Sequence, residues 1–293
     1  MKALVAHPGG FGEVLLAGPA VRALATRAGT VTMLCEARGA SAARLLPHVD
    51  DVLVWDTPGP DDGTGGTDGP LTRLRQEVYD VALVLGPEPL GDWPAPRLPR
   101  SARVRRVAAG RADGPLRGVG DAGARRHRTA VRAGAEAALA AAADLGFGLR
   151  AGDDGRLRVR PVPDTASLTG NGPYVAVHPG AADPGRAWDA AHGAGIVARL
   201  CDAGHRVVVT GGPQEAALTR AVSGDTAVDL GGRTTSRAFA GVLNSADLLV
   251  TAATGPAHLA AAVGTPALVR GEAGPGSAED VVRAVTELLV AAG

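Results

Sequence analysis

A chain of 293 residues with 30 basic and 30 acidic side chains carries no net charge, and its 45% hydrophobic content is mostly Ala, Val and Leu interrupted by Gly, Pro or Arg. That length suits two domains of ordinary size, while no apolar run approaches the ~20 residues of a membrane span. Cys35 and Cys201 stand apart, with no CxxC spacing and no His at ligand spacing, which excludes a disulfide framework and a zinc site as expectations.

The N-terminal MKALVAHPGG runs straight into a strand and a glycine turn without the apolar core of a signal peptide, so a cytoplasmic protein is expected. Lys2 to His7 reads as that strand, and Glu13 to Ala28 as a helix with Val14, Leu15, Ala17, Val21 and Leu24 on one face. Strand Val31 to Cys35, a helix near Ala40 to Leu46 and strand Val52 to Trp55 continue the alternation of a parallel sheet covered by helices. Pro58 to Pro70 holds no apolar residue and reads as a flexible loop; Leu71 to Glu77 reads as a helix and Val81 to Leu85 as a strand. Val104 to Val107 reads as one more strand, and Thr129 to Leu145 as an alanine-rich helix stopped by Gly146. Arg97 to Arg132 holds eleven arginines and only two acids, Asp113 and Asp121. With almost no aromatic residue to stack bases, the run predicts a solvated face or an anionic partner and not nucleic acid.

The Pro- and Gly-containing stretch Asp164 to Gly172 is the expected boundary, giving domains 1–165 and 166–277 and a C-terminal helix over 278–293. Strand Tyr174 to His178 leads to Pro179-Gly180-Ala181-Ala182 and helix Ala190 to Ala203. Strand Arg206 to Thr210 leads to Gly211-Gly212-Pro213 and helix Gln214 to Val222. Val228 to Leu230 is expected as a strand, Ser236 to Asn244 as a helix and Leu248 to Val250 as a strand. A turn at Ala252 to Pro256 and helix Ala257 to Val263 follow, with His258 pointing to the turn's mouth. Small residues at strand-to-helix turns admit a ligand to backbone N–H groups, and helix N-termini favour phosphate. Ligands in such sheets bind beyond the carboxyl ends of the strands.

Four ordered motifs are more specific than any one of them: HPGAADPGRAW at His178 to Trp188, VVVTGGPQE at Val207 to Glu215, DLGGRTTSRAFAGVLNSADLLV at Asp229 to Val250, and TGPAHLAAAVGTP at Thr254 to Pro266. Together they resemble glycosyltransferase family 9, the heptosyltransferase-like enzymes, as does the N-terminal GGFGEVLLAGPAVRAL. The resemblance implies a GT-B fold: two doubly wound, Rossmann-like α/β domains facing across a cleft, the first for the acceptor and the second for a nucleotide sugar. It implies Glu13 as general base, where the family usually has Asp, with Gly10 and Gly12 on the acceptor side. For the donor it implies Arg186, the backbone at Gly180, Ala181, Ala182, Thr254 and Gly255, and contacts from Gly211, Glu215 and His258. Trp188 is expected as packing. The function implied is inverting, metal-independent transfer of a heptose-type sugar from an ADP-linked donor to an acceptor hydroxyl. No cofactor beyond the nucleotide-sugar co-substrate is expected, and no metal, since the chain has no Asp-x-Asp.

Three departures favour an alternative. Ala253 stands where relatives usually have Asp, Glu13 is one methylene longer than Asp, and Arg270 to Gly276 leads directly to the last helix where the family has a longer donor loop. The alternative is a relative without turnover that serves as a binding or partner subunit of an active transferase. A sugar epimerase of the same GT-B build is a third reading. The absence of GxGxxG after either first strand argues against a nicotinamide dehydrogenase.

Overall fold

The computed structural model describes residues 1–55, 68–86, 103–110, 123–270 and 277–292. The loop expected at Pro58 to Pro70 therefore lies largely outside the described residues, as do 97–102 and 111–122 of the arginine-rich run and 271–276. The chain divides into two compact units, one of Met1–Pro115 with Ala130–Arg160 and one of Leu116–Thr129 with Pro161–Gly293.

The first unit contains β1 (Lys2–His7), α1 (Phe11–Leu16), α2 (Gly18–Leu24), β2 (Thr30–Glu36), α3 (Ala37–Leu45), β3 (Asp51–Trp55), α4 (Asp68–Gln76), β4 (Val78–Leu85) and β5 (Arg103–Gly110). Its parallel sheet has the order β3-β2-β1-β4-β5. The central strand β1 is buried on both faces, which is why its run Ala3 to Ala6 is continuously apolar. The single helix expected over Glu13 to Ala28 is two helices. Pro19 has no N–H to donate to an i−4 carbonyl, so the chain turns at Ala17 and restarts with Pro19 in a first turn, where that donor is not needed. The long helix α5 (Gly123–Asp144) begins in the second unit and continues in the first from Ala130.

The second unit continues with α6 (Ala166–Thr169), β6 (Val175–His178), α7 (Ala190–Asp202), β7 (Val207–Val209), α8 (Ala216–Ser223), β8 (Val228–Asp229), α9 (Ser236–Asn244), β9 (Leu248–Thr251), α10 (Thr254–Val263), β10 (Ala267–Val269) and α11 (Ala278–Ala292). Short 3₁₀ turns occupy Pro184–Arg186 and Pro213–Glu215. The parallel order is β10-β9-β6-β7-β8, so the chain leaves β6 toward β7 and β8, then crosses back to β9 and β10 on the other side. Val175, Val177, Val207, Val209, Leu248 and Val250 pack with Ile196, Leu200, Val281 and Val285 in one core. At about 1.5–3 kcal/mol for each fully buried aliphatic side chain, this packing supplies the main drive for closing the layer. Helix α11 packs on α7, and Arg199 pairs with Glu279 at 2.9 Å between them. Strand β10 is an addition to the sequence reading. Among the described residues, no helix is long and apolar enough to cross a membrane.

Candidate functional site

The sheet of the second unit has its switch point between β6 and β9, where connections leave in opposite directions and open a crevice at the carboxyl ends. His178 ends β6 opposite Thr251, which ends β9, and Ala252 N–H donates to the His178 carbonyl at 3.1 Å. The following loops are pinned. Trp188 N–H donates to the Pro179 carbonyl at 2.9 Å, closing the loop after β6, and its buried indole Nε1–H donates to the Arg270 carbonyl at 2.8 Å. Trp188 is thus packing, as expected. Arg186 ends the 3₁₀ turn in this loop, with its side chain 54% exposed and Nε 3.9 Å from Asp183 Oδ2.

Glu215 joins two loops. Its Oε2 accepts Gly212 N–H at 2.6 Å, and its carboxylate occupies the space a Cβ on Gly180 would need. Gly211 is close as well, since a Cβ there would lie 3.2 Å from Glu215 Oε2. Gly180, Gly211 and Glu215 are therefore brought together, with Ala181 and Ala182 at the more open side of the same loop. Beside them His178 places Nδ1 3.0 Å from Thr210 Oγ1 and Nε2 3.7 Å from Glu215 Oε2, with Phe239 tilted against its ring. Burial holds this imidazole below the ordinary histidine value, and the Glu215 carboxylate opposes that shift.

The turn after β9 is shorter than the sequence suggests. Helix α10 begins at Thr254, so Thr254, Gly255 and Pro256 form its first turn, where Pro is tolerated. Ala253 is its N-cap and contributes no side-chain bond to the helix N-terminus. Thr254 and Gly255 are partly exposed there, whereas His258 is only 1% exposed. The structure does not turn the His258 ring to the mouth of the turn; it stacks on His127 of α5, centroids 5.3 Å apart.

In the first unit the turn after β1 carries the remaining candidates. Gly10 N–H donates to Glu13 Oε2 at 2.8 Å, and Gly9 N–H donates to His7 Nδ1 at 2.9 Å. Gly12 is buried inside α1. His7, His178 and His127 were missed by motif reading. For the first two a signal existed, because His-Pro-Gly follows the central strand in both units, at His7 to Gly9 and His178 to Gly180.

Residues 128–269 match the model of glycosyltransferase family 9 (heptosyltransferase). No curated protein sequence matches the chain. Among solved structures, a glycosyl transferase family 9 protein from Veillonella parvula is similar with TM-score 0.71 at 16% identity, covering 99% of this chain and 97% of the other. The E. coli ADP-heptose LPS heptosyltransferase II is similar with TM-score 0.68 at 17% identity, over 99% of both chains. An E. coli heptosyltransferase with ADP-2-deoxy-2-fluoro heptose is similar with TM-score 0.65 at 17% identity, covering 98% of this chain and 99% of the other. With its two parallel five-stranded sheets the chain has the GT-B fold of these structures, and just under half of it, residues 128–269, is similar to glycosyltransferase family 9.

Proposed function

We propose that the chain is an inverting, metal-independent glycosyltransferase that moves a heptose-type sugar from an ADP-linked donor to an acceptor hydroxyl. The observation that carries this reading is the switch point of the second unit. There the loop Gly180 to Arg186, the Glu215-bound glycine turn and the uncapped N-terminus of α10 gather at the ends of β6, β7 and β9. Backbone N–H groups and the Arg186 guanidinium offer the diphosphate the positive charge it needs as it departs. Glu215, Gly211 and Thr254 line the nucleoside and sugar side of that site.

Glu13 takes the proton. Its Oε2 is held by Gly10 N–H, so Oε1 is the oxygen available to the acceptor O–H. As the proton moves to Glu13, the acceptor oxygen forms the bond to the anomeric carbon, the bond from that carbon to the diphosphate breaks, and ADP leaves. One such displacement inverts the anomeric centre. The arginine-rich run favours an anionic acceptor, and the reaction is proposed for the cytoplasm.

Ala253 favours a second reading: with no side-chain acceptor at the α10 N-cap, the chain is a partner subunit that binds but does not transfer. The deciding experiment offers ADP-heptose with sugar-phosphate and glycolipid acceptors and follows ADP release. Acceptor-dependent release that falls by roughly 10²-fold or more in Glu13→Gln supports the transferase. Absence of release with every acceptor, together with co-purification of an active transferase, supports the subunit.

A further inference from the structure

Two consecutive amides of the turn after β1 are each assigned to one side chain. Gly9 N–H goes to His7 Nδ1 at 2.9 Å and Gly10 N–H to Glu13 Oε2 at 2.8 Å. The two acceptors cover the same face of Gly9, because a Cβ there would lie 2.5 Å from His7 Cε1 and 2.6 Å from Glu13 Oε2. From the other side α3 closes on the turn: a Cβ at Gly39 would lie 2.7 Å from the Gly9 carbonyl oxygen, and Arg38 Nη2 donates to the Pro8 carbonyl at 3.2 Å. His7 is 1% exposed, so its ring is fixed by packing.

The second unit shares the carboxylate half of this design, while His178 Nδ1 pairs with Thr210 Oγ1 at 3.0 Å and not with a glycine amide. His178 ends the central strand, Pro179 and Gly180 follow, and the Glu215 carboxylate fills the Cβ space of that glycine while Oε2 accepts a glycine amide. There too the strand-end imidazole lies beside the carboxylate, at 3.7 Å.

We propose that His7 is the positioning residue of Glu13. By accepting Gly9 N–H through Nδ1, it sets the turn that aims Gly10 N–H at Oε2 and so leaves Oε1 presented for the acceptor proton. The inference rests on the assignment of Glu13 as base. It requires an unprotonated Nδ1, hence a neutral ring with its proton on Nε2.

The test compares His7→Leu, which removes the acceptor atom, with His7→Asn, whose Oδ1 takes the place of Nδ1. Amide hydrogen exchange at Gly9 and Gly10 is followed by NMR, with ADP affinity measured alongside. His7→Leu is expected to speed exchange at both amides by about tenfold, the loss of roughly one hydrogen bond to each. His7→Asn restores both to near wild type. ADP affinity, a property of the second unit, stays unchanged in both variants, while acceptor-dependent ADP release falls in His7→Leu and returns in His7→Asn. Protection of Gly10 in His7→Leu equal to wild type overturns the proposal, as does failure of His7→Asn to protect Gly10 should the leucine variant not fold. Glu13→Gln separates the two ideas, since its amide oxygen still accepts Gly10 N–H. Undiminished turnover in Glu13→Gln ends the base assignment alone, and the exchange result still decides His7.

Discussion

His127 and His258 stack with ring centroids 5.3 Å apart and planes 21° from parallel, both buried in the second unit. Burial holds His127 below the ordinary histidine value, opposed by a backbone hydrogen bond at Ala257, and burial does the same to His178 against Glu215.

The sign of the resulting pH dependence follows. A histidine with a depressed folded value stays neutral in the native chain but takes up a proton near pH 6.5 when unfolded. Stability is therefore full above that value and falls as pH drops below it, by at most about 1.4 kcal/mol per pH unit for each such group. Melting at pH 5.5 is expected below melting at pH 7.5. His127→Phe, which keeps a stacked ring without a titrating nitrogen, should flatten the difference. An unchanged slope in that variant would remove His127 from the account.

A second prediction concerns the first unit. Arg22 donates from Nε and Nη2 to both Asp153 oxygens at 2.7 and 2.8 Å and also reaches the Arg156 carbonyl, with the pair almost fully buried. The Arg22 hydrogen bonds hold the Asp153 carboxyl down to about 2. This contribution is present above the ordinary aspartate value of 3.8 and is lost as pH falls from there toward 2. Asp153→Asn leaves a buried guanidinium without its counter-charge and is expected to cost roughly 3 kcal/mol in urea unfolding. Arg132→Ala, at the exposed Arg132–Glu136 pair, should leave the curve unchanged. Equal effects of the two substitutions would contradict the assignment of Arg22 to the core.

Gly180→Ala tests the joint between the loops after β6 and β7. The added methyl would overlap the Glu215 carboxylate, which must then leave Gly212 N–H. Overpacking of this kind costs about 1–3 kcal/mol, and ADP affinity is expected to fall by about tenfold, since the binding amides move with the carboxylate. Unaltered affinity with a merely lowered melting temperature would show that Glu215 serves the fold and not the nucleotide.

The alternation of apolar strands and helices was legible in both halves because parallel strands buried on both faces read as short continuous runs, as in Ala3 to Ala6 or Val207 to Val209. The break at Ala17 was hidden by a helical period that runs on through Pro19. The early start of α10 was hidden by Pro256, read as a turn residue when it stands in a helical first turn. Gly180 could be picked out as a loop residue, but the carboxylate filling its missing Cβ position could not, because Glu215 approaches from another strand's loop. The burial of His258 depends on His127, more than a hundred residues away, and no local pattern announces such a contact.

The central claim is a donor site in the second unit that holds a nucleoside diphosphate through Arg186 and backbone amides. Calorimetric titration with ADP, with and without magnesium, on the wild-type chain and on Arg186→Ala measures it directly. The account predicts micromolar binding that does not require the metal and weakens by about tenfold or more in the variant, the loss of a charge-assisted contact to phosphate. No binding of ADP to the wild-type chain, or equal binding by Arg186→Ala, would contradict it.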